Sequence, residues 1–235
     1  DYTDQDRTHW KTVTHLNRLG ALAQARLLAP EDQGLTRALQ AGLDHWLGAD
    51  YLNSNWWWNQ IGVPGALSQL ALLIEADLSE AQRAKVLEIL QRAQLGMTGQ
   101  NLVWVADITL RRGLLEQDPE VVGRAFAAVA QVICVSPAEG IQADFSFHQH
   151  GPCLYSHGYG AAFASDCARL AVLAAGTGFA FGPARVELLT NLVLDGHQWL
   201  SRGATPDYGA IGRQTARPNQ SAAYLRAVAL GLLQL

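Results

Sequence analysis

The sequence is poor in charge and in lysine, and both shortages exclude classes of protein. Only 16% of the 235 residues are charged and the net charge is −4, whereas a nucleic-acid-binding domain normally carries a basic surplus or a basic stripe. Lysine occurs only at Lys11 and Lys85, so almost all positive charge is arginine. No apolar run approaches the roughly 18 residues that a membrane-spanning helix needs. We therefore expect neither a nucleic-acid nor a membrane partner.

Cysteine is also scarce, which limits the covalent and metal chemistry of the chain. The three cysteines, Cys134, Cys153 and Cys167, are odd in number and show no C-x-x-C spacing. At most one disulfide can form, and a structural zinc site is disfavoured. The chain starts at Asp1 without an initiator methionine or a signal peptide. We expect a mature or trimmed form, whose compartment cannot be read from its start.

Helical periodicity runs through the chain, with little of the alternation that predicts strands. Apolar residues recur with a period near 3.6. Helices are predicted over about residues 10–28, 30–47, 64–75, 79–96, 101–115, 119–135, 161–175, 183–200 and 221–233. Short connections between helices of similar length indicate antiparallel hairpins. The sequence therefore predicts an all-α fold, an incomplete (α/α) toroid or barrel, formed as one domain over residues 1–235.

Three connections are much longer than the others and have a distinctive composition. They are Asn53–Gly62, Pro137–Tyr159 and Gly203–Asn219, and they are rich in aromatic, histidine and arginine residues. Alternate loops of a helical-hairpin array share one rim. We therefore expect these loops to line one cleft, which is where binding and catalytic residues concentrate on a rigid scaffold.

The segment 144–160 is the strongest candidate for catalysis. It contains three histidines and two tyrosines: His148, His150, His157, Tyr155 and Tyr159. Imidazole titrates near neutral pH, and an activated phenol can also exchange a proton, so this cluster is typical of acid–base catalysis. A metal site is the alternative, since the histidines with Asp144 could be ligands.

Three further features have both a functional and a structural interpretation. Trp56, Trp57 and Trp58 are consecutive and cannot all face a core. They could form a platform on which sugar rings stack, or one or two of them could belong to the core while the rest are incidental. Arg213 and Arg217, four residues apart in a glycine-rich loop, could bind an anion, or they could be ordinary surface arginines. Asn101 could hydrogen-bond a substrate carboxylate or simply cap a helix.

Five segments, in this order, carry a resemblance to a known family. They are Asp1–Leu19 (Y-x-D…W…H-L-x-R-L), Asn55–Pro64 (N-W-W-x-x-x-I-G-x-P), Gly99–Leu102 (G-x-N-L), Asp144–Gly160 (D-x-S-F-x-x-H…Y…Y-G) and Gly212–Arg217 (G-R-x-x-x-R). Together they resemble the α-toroid domain of polysaccharide lyase family 8, which comprises the hyaluronate, chondroitin AC and xanthan lyases. Five ordered matches over most of the chain are a far more specific signal than any one of them.

The resemblance implies roles for individual residues. The catalytic positions fall on Asn101, His150, Tyr159 and Arg213. A second substrate-binding arginine falls on Arg217. The aromatic patch falls on Trp56 and Trp57, with Trp58 beside them. The implied reaction is a β-elimination on a uronic-acid-containing polysaccharide such as hyaluronan, chondroitin or xanthan, which leaves a 4,5-unsaturated uronide and needs no metal or organic cofactor.

The chain also departs from the family pattern. Phe145 replaces a glycine, His157 stands where the family often has glycine, and Trp58-Asn59-Gln60 replaces a more acidic run. These differences leave the choice of sugar open. Family members carry β-sandwich domains that supply a catalytic glutamate. Because residues 1–235 include no such domain, we expect either a fragment of a longer enzyme or a lone toroid relative. The resemblance implies a secreted or periplasmic monomer that acts on an acidic polysaccharide.

Two other functions remain open at the level of sequence. A glycoside hydrolase on an α/α barrel would need two suitably spaced carboxylates, for which Asp107, Asp144 and Asp207 are available. A glycan-binding toroid without catalysis would use the tryptophans and arginines alone.

Overall fold

A computed structural model describes residues 2–217, 219–233 and 235. Asp1, the first residue of the first family motif, lies outside the described residues. The chain divides into two compact units. Unit 1 comprises residues 1–95 and 104–122, and unit 2 comprises residues 96–103 and 123–235. The single domain expected over residues 1–235 stays a prediction.

Helices dominate the described residues. They are α1 Thr14–Leu28, α2 Gln33–Ala49, α3 Val63–Leu73, α4 Glu80–Leu90, α5 Gly99–Glu116, α6 Pro119–Val132, α7 Tyr159–Ala174, α8 Pro183–Asn191 and α9 Tyr224–Leu232. Two small antiparallel sheets pair β1 Gly140–Ile141 with β2 Phe147–His148, and β3 Ser201–Arg202 with β4 Thr205–Pro206. Across the described ranges, no helix is both long and apolar enough to cross a bilayer.

Unit 1 is built from helices that bury one apolar face each. Helix α1 packs against α2 and α3, and α4 packs against α2 and α3. The α2 residues Leu39, Leu43 and Trp46 recur at helical spacing and are completely buried. Each buried leucine contributes about 1.5–3 kcal/mol relative to an exposed one. This burial determines which face of each helix turns inward.

Helix boundaries in unit 1 follow from capping side chains. Helix α2 begins at Gln33 because Asp32 accepts hydrogen bonds from the backbone N–H groups of Gly34 and Leu35, so the predicted start at Pro30 was three residues early. Helix α4 begins after Ser79, whose hydroxyl accepts from Gln82 N while the Gln82 side chain accepts from Ser79 N. This reciprocal capping box satisfies two backbone donors that would otherwise have no partner.

Unit 2 contains α7, α8 and α9, which pack against one another. Phe147 from β2 and Phe163 from α7 are fully buried, with ring centroids 4.9 Å apart. The two small sheets were missed by sequence analysis because each strand has only two residues, too few to show alternation.

The predicted continuous helix over residues 183–200 is wrong. Helix α8 ends at Asn191 and is followed by a π-helical turn, Leu192–Gly196, and a 3-10 turn, His197–Leu200. At Gly196 the backbone carbonyl of Phe145 approaches so closely that an added Cβ would lie 2.1 Å from its oxygen. The segment that carries Phe145 thus comes close to the backbone where the α-helix gives way to the two turns. Local helix propensity does not encode this contact.

We expect Ser79→Ala to lower the free energy of unfolding by about 1 kcal/mol, because the N-cap acceptor is lost. Urea unfolding monitored by circular dichroism measures the change. Ser54→Ala, at an exposed position before the tryptophan run, is the matched control and should change stability far less. Equal losses for the two variants would contradict the assigned cap.

Candidate active site

The segment 144–160 is held in place by backbone pairing on both sides. The β1–β2 sheet fixes its first part, and Tyr155 N donates to Phe147 O at 2.8 Å. Phe145 and His150 both have φ of +60°, a left-handed conformation that is uncommon for residues other than glycine. Phe145 therefore adopts the backbone that a glycine would adopt more easily, at the position where the family motif has glycine.

Tyr159, His150 and Arg213 lie together in unit 2. Arg213 Nη2 donates to the phenolic oxygen of Tyr159 at 3.2 Å, and the guanidinium carbon lies 5.9 Å from the centre of the Tyr159 ring. The His150 ring meets the Tyr159 ring edge-on, with centroids 4.9 Å apart. Sequence analysis assigned His150 and Tyr159 from one motif and Arg213 from another, and the structure joins the three in one cluster.

Asn101 lies on a segment that is hydrogen-bonded to the same loop. Helix α5 begins at Gly99, so Asn101 is inside the first turn and the N-cap interpretation is wrong. The backbone N–H of Gln100 donates to Gln149 Oε1 at 3.0 Å, and Gln149 immediately precedes His150. Asn101 Oδ1 is buried and makes no hydrogen bond to any described residue. Buried polar atoms of this kind are rare and often functional.

Glu139 is a part of this arrangement that sequence analysis missed. Its carboxylate accepts hydrogen bonds from Thr98 Oγ1 at 2.6 Å, from Gly151 N at 3.0 Å and from Gln149 Nε2. Burial acts to raise the pKa of Glu139, but these donors and the nearby His150 outweigh it and the pKa is lowered. No motif or spacing marks Glu139, because its donors come from distant parts of the sequence.

The surroundings of His150 favour a neutral imidazole. Partial burial and the positive charge of Arg213 lower the pKa of His150, while the Glu139 carboxylate opposes them. A neutral ring has one nitrogen free to accept a proton or a hydrogen bond. His150 is thus suited to act as a base at neutral pH.

A buried His–Tyr–His network includes His157, two residues before Tyr159 in sequence. Ser201 Oγ donates to His197 O at 2.9 Å, so His157 Nε2 is left to donate to Ser201 Oγ at 3.0 Å. His157 Nδ1 then accepts from the Tyr224 hydroxyl at 2.9 Å, and Tyr224 contacts His197 Nδ1 at 3.4 Å. This network ties the first residue of α9 to the candidate active-site loop.

Burial sets the charge state of this network. It lowers the pKa of His197 to about 3, with a smaller contribution from His157, and it raises the pKa of the Tyr224 phenol. Burial also lowers the pKa of His157. All three rings are therefore neutral near pH 7. Both ring nitrogens of His157 are occupied by hydrogen bonds, which suits a structural support.

The metal and hydrolase interpretations find little support in the described residues. Within the ranges that the structure describes, no three His, Cys, Asp or Glu side chains are arranged to hold a metal ion. Asp107 forms an ion pair with Arg111 in unit 1. Asp144 accepts from Ser146 N at 3.0 Å, and Asp207 accepts from Gly209 N at 2.7 Å. These carboxylates thus stabilise a helix face and two turns.

The three tryptophans belong to unit 1 and differ in exposure. Trp56 is 47% exposed, whereas Trp57 and Trp58 are half-buried, with their rings edge-on at 5.0 Å. Trp58 Nε1 donates to Arg7 O at 3.1 Å. The expectation that the three tryptophans cannot all face a core is confirmed. The sugar platform stays a prediction.

Two of the three long loops are joined directly. His157 N donates to Ala210 O at 2.9 Å, which links segment 144–160 to the loop that carries Arg213. Arg217 is exposed at the end of that loop. The third loop, Asn53–Gly62, belongs to unit 1, so a cleft shared by all three stays a prediction.

Comparison with known proteins agrees with the fold and with the motifs. A solved structure of chondroitinase AC lyase, studied with oligosaccharides, superposes on 97% of this chain with a TM-score of 0.90 and 26% sequence identity. Chondroitinase-AC of Pedobacter heparinus is 27% identical in an alignment of 227 residues that covers 93% of this chain and 32% of that protein. Xanthan lyase of Bacillus sp. (strain GL1) is 28% identical over 144 residues, covering 56% of this chain and 16% of that protein.

The fold is therefore that of the helical domain of a polysaccharide lyase, and the predicted all-α fold of the (α/α)-toroid type is confirmed. Residues 1–234 match the family model described as polysaccharide lyase family 8, N-terminal alpha-helical domain. The chain belongs to this family. It spans about a third of the length of the chondroitinase that it matches.

We expect Gly212→Ala to destabilise the protein more than Gly203→Ala. Both glycines have positive φ, +52° and +61°, so both variants incur about 1 kcal/mol of backbone strain. An added Cβ at Gly212 would lie 2.7 Å from the Tyr155 ring, whereas Gly203 has open space. Overpacking should cost Gly212→Ala about 2 kcal/mol more in urea unfolding. Equal losses would contradict the tight fit of Tyr155 against Gly212.

We expect His197 to make the protein less stable in acid. Its pKa is about 3 when folded against an ordinary value of 6.5, so the unfolded chain binds a proton that the folded chain excludes. Above the ordinary pKa, His197 therefore costs the folded state nothing. As the pH falls from 7 to 5, His197 lowers the free energy of unfolding by about 2 kcal/mol.

Urea unfolding of His197→Gln at both pH values measures this contribution. The variant cannot titrate at this position, so its loss of stability between the two pH values should be about 2 kcal/mol smaller than that of the unaltered chain. An identical pH dependence in the two proteins would show that His197 is not held neutral.

Proposed function

We propose that this chain carries the catalytic centre of a lyase that cleaves a uronic-acid-containing polysaccharide by β-elimination. The observation that carries the proposal is the cluster of Tyr159, Arg213 and His150, in which a guanidinium donates to a phenolic oxygen beside a neutral imidazole. Membership of polysaccharide lyase family 8 supports the reaction class. The product would be a 4,5-unsaturated uronide.

Arg213 positions Tyr159 in this mechanism. A proton at C5 of a uronate is only weakly acidic, so the group that removes it must be held close to it. The hydrogen bond from Arg213 Nη2 fixes the Tyr159 oxygen, and a well-oriented group transfers a proton more readily. Tyr159 would take the C5 proton and return one to the departing O4 oxygen.

Asn101 and His150 serve the substrate carboxylate. As the C5 proton leaves, negative charge spreads onto the carboxylate, and fixed hydrogen-bond donors lower the energy of that state. The Asn101 amide lies in a segment hydrogen-bonded to the loop of His150, and its Nδ2 group is the donor that would meet the carboxylate. Where the sugar geometry requires an anti elimination, His150 would be the base and Tyr159 the acid.

The remaining candidate residues would bind the polymer around the reacting sugar. Arg217 would attract its negative charge, and Trp56, Trp57 and Trp58 would stack on sugar rings. The substrate class would be an acidic polysaccharide such as chondroitin, hyaluronan or xanthan. No metal or organic cofactor enters the mechanism. Since such polymers lie outside cells, we expect a secreted or periplasmic monomer that acts without a nucleic-acid or membrane partner.

Incubation with chondroitin, hyaluronan, xanthan and alginate tests the reaction class. Near-UV absorbance that rises with time, from the unsaturated product, is the expected result. New reducing ends without that absorbance would show hydrolysis, and binding without cleavage would show a non-catalytic glycan-binding domain.

Tyr159→Phe tests the assigned base. The variant keeps the ring but loses the proton-transfer group, so kcat should fall by at least about a hundredfold. Tyr51→Phe removes a phenol in unit 1 that contacts His45 at 3.1 Å, and it should keep full activity. Full activity in Tyr159→Phe would reject the role given to this residue.

A further inference from the structure

Glu139 fixes the residues on both sides of His150. Its carboxylate accepts hydrogen bonds from the backbone N–H of Gly151 at 3.0 Å and from the side-chain amide of Gln149. Gln149 is 1% exposed, and its own backbone N–H donates to Cys153 O at 3.2 Å. His150 is exposed between these two fixed neighbours. The backbone of His150 is therefore held from both sides, while its side chain stays accessible to a ligand.

The hydrogen bonds to Glu139 act where the backbone is left-handed, with φ of +60° at His150 and +78° at Gly151. This conformation is unfavourable for a residue with a Cβ atom and persists only where the surroundings enforce it. Successive backbone N–H groups in such a turn form a concave anion site. Burial acts to raise the pKa of Glu139. The Thr98 hydroxyl and the N–H groups of Gly151 and His150 outweigh it, so an ionised carboxylate fills that site.

The partners of Glu139 require an acceptor that carries no proton. A backbone N–H and a side-chain NH2 group can only donate, and Thr98 Oγ1 is a third donor at 2.6 Å. Gln149 cannot reverse its amide without a loss, because its oxygen already accepts from Gln100 N at 3.0 Å. A carboxylate meets all three donors. A glutamine in its place would turn its NH2 group towards a donor in either orientation.

The charge of Glu139 also acts on the imidazole of His150. Partial burial lowers the pKa of His150, Arg213 adds to this effect, and the Glu139 carboxylate opposes both. The phenol rings that face His150 are those of Tyr159 and Tyr155, with centroids 4.9 Å and 6.2 Å from the imidazole centroid. Glu139 thus supplies negative charge to a ring that otherwise faces a guanidinium and two phenols.

We propose that Glu139 is a positioning residue, which holds His150 in its left-handed conformation and supplies the negative charge that faces the imidazole. The inference rests on the proposed function for the reaction in which His150 takes part. Donors from the protein occupy both carboxylate oxygens, since Gly151 N donates to Oε1 and Thr98 Oγ1 donates to Oε2. Glu139 therefore acts through His150, and it has no direct contact with the substrate and transfers no proton.

Glu139→Gln tests both parts of this role by NMR. The ring signals of His150 are identified by their absence from the spectrum of His150→Gln. Loss of a negative charge makes the protonated imidazole less favourable, so the ring should titrate at a lower pH than in the unaltered chain. The Gly151 amide loses a charged acceptor, so its hydrogen exchange should become about tenfold faster or more.

The same variant should change catalysis through His150. On a polymer that the unaltered chain cleaves, kcat/KM should fall by about tenfold or more, because the imidazole is no longer held in place. The acidic limb of the pH profile of kcat/KM should move to lower pH, since the imidazole stays neutral to a lower pH. A role limited to stability would lower the thermal midpoint and leave this limb in place.

Glu187→Gln is the matched control, because it removes the same charge from an exposed position on α8 in unit 2. It should leave the His150 titration, the Gly151 exchange and the activity unchanged. Glu139→Asp keeps the charge but shortens the side chain by one methylene. The Gly151 exchange should accelerate, while the His150 titration should move less than in Glu139→Gln. Unchanged exchange in Glu139→Asp would overturn the holding role even if Glu139→Gln did not fold.

The positioning role and the lyase reaction can fail separately. An unchanged His150 titration and an unchanged Gly151 exchange in Glu139→Gln would overturn the role, whether or not the chain cleaves a polymer. Unchanged kcat/KM with an unmoved acidic limb would overturn it as well, while the reaction stands. An unaltered chain that cleaves none of the polymers would overturn the reaction, and the two NMR measurements would still decide whether Glu139 positions His150.

Discussion

The arrangement of the candidate site depends on a carboxylate that is surrounded by hydrogen-bond donors. Glu139 accepts from Thr98, from Gly151 and from Gln149, and so connects the segment that leads to Asn101 with the loop that carries His150. Gln149 strengthens the link, because its amide oxygen accepts from Gln100 N. The side chains of Glu139 and Gln149 thereby fix the relative positions of Asn101 and His150, which lie about fifty positions apart in the chain.

A second constraint acts through packing. The Tyr155 ring fills the space between Gly158 and Gly212, and Gly160 leaves room for Phe147 and His197. Because these three glycines have no side chains, the neighbouring aromatic rings can pack directly against the backbone near Tyr159. The neutral His157–Tyr224–His197 network joins the loop to α9. The site is therefore supported by close backbone contacts and by rings whose charge does not change near neutral pH.

Much of this architecture could be predicted from local sequence. The helical periodicity identified the elements, and the family motifs singled out Tyr159, His150 and Arg213, which the structure brings together. Prediction from the sequence failed where a segment that is distant in the chain determines the geometry. Glu139 has no motif because its donors lie about forty residues upstream and about ten downstream, and the change of helical geometry near Gly196 accompanies the approach of the Phe145 carbonyl.

The left-handed backbone of His150 has a consequence for how this chain can change. Glycine adopts φ of +60° without a steric cost, whereas histidine adopts it less readily. Replacement of His150 by glycine would therefore relieve backbone strain while removing the proposed base. Stability-guided redesign of this domain should hold position 150 fixed.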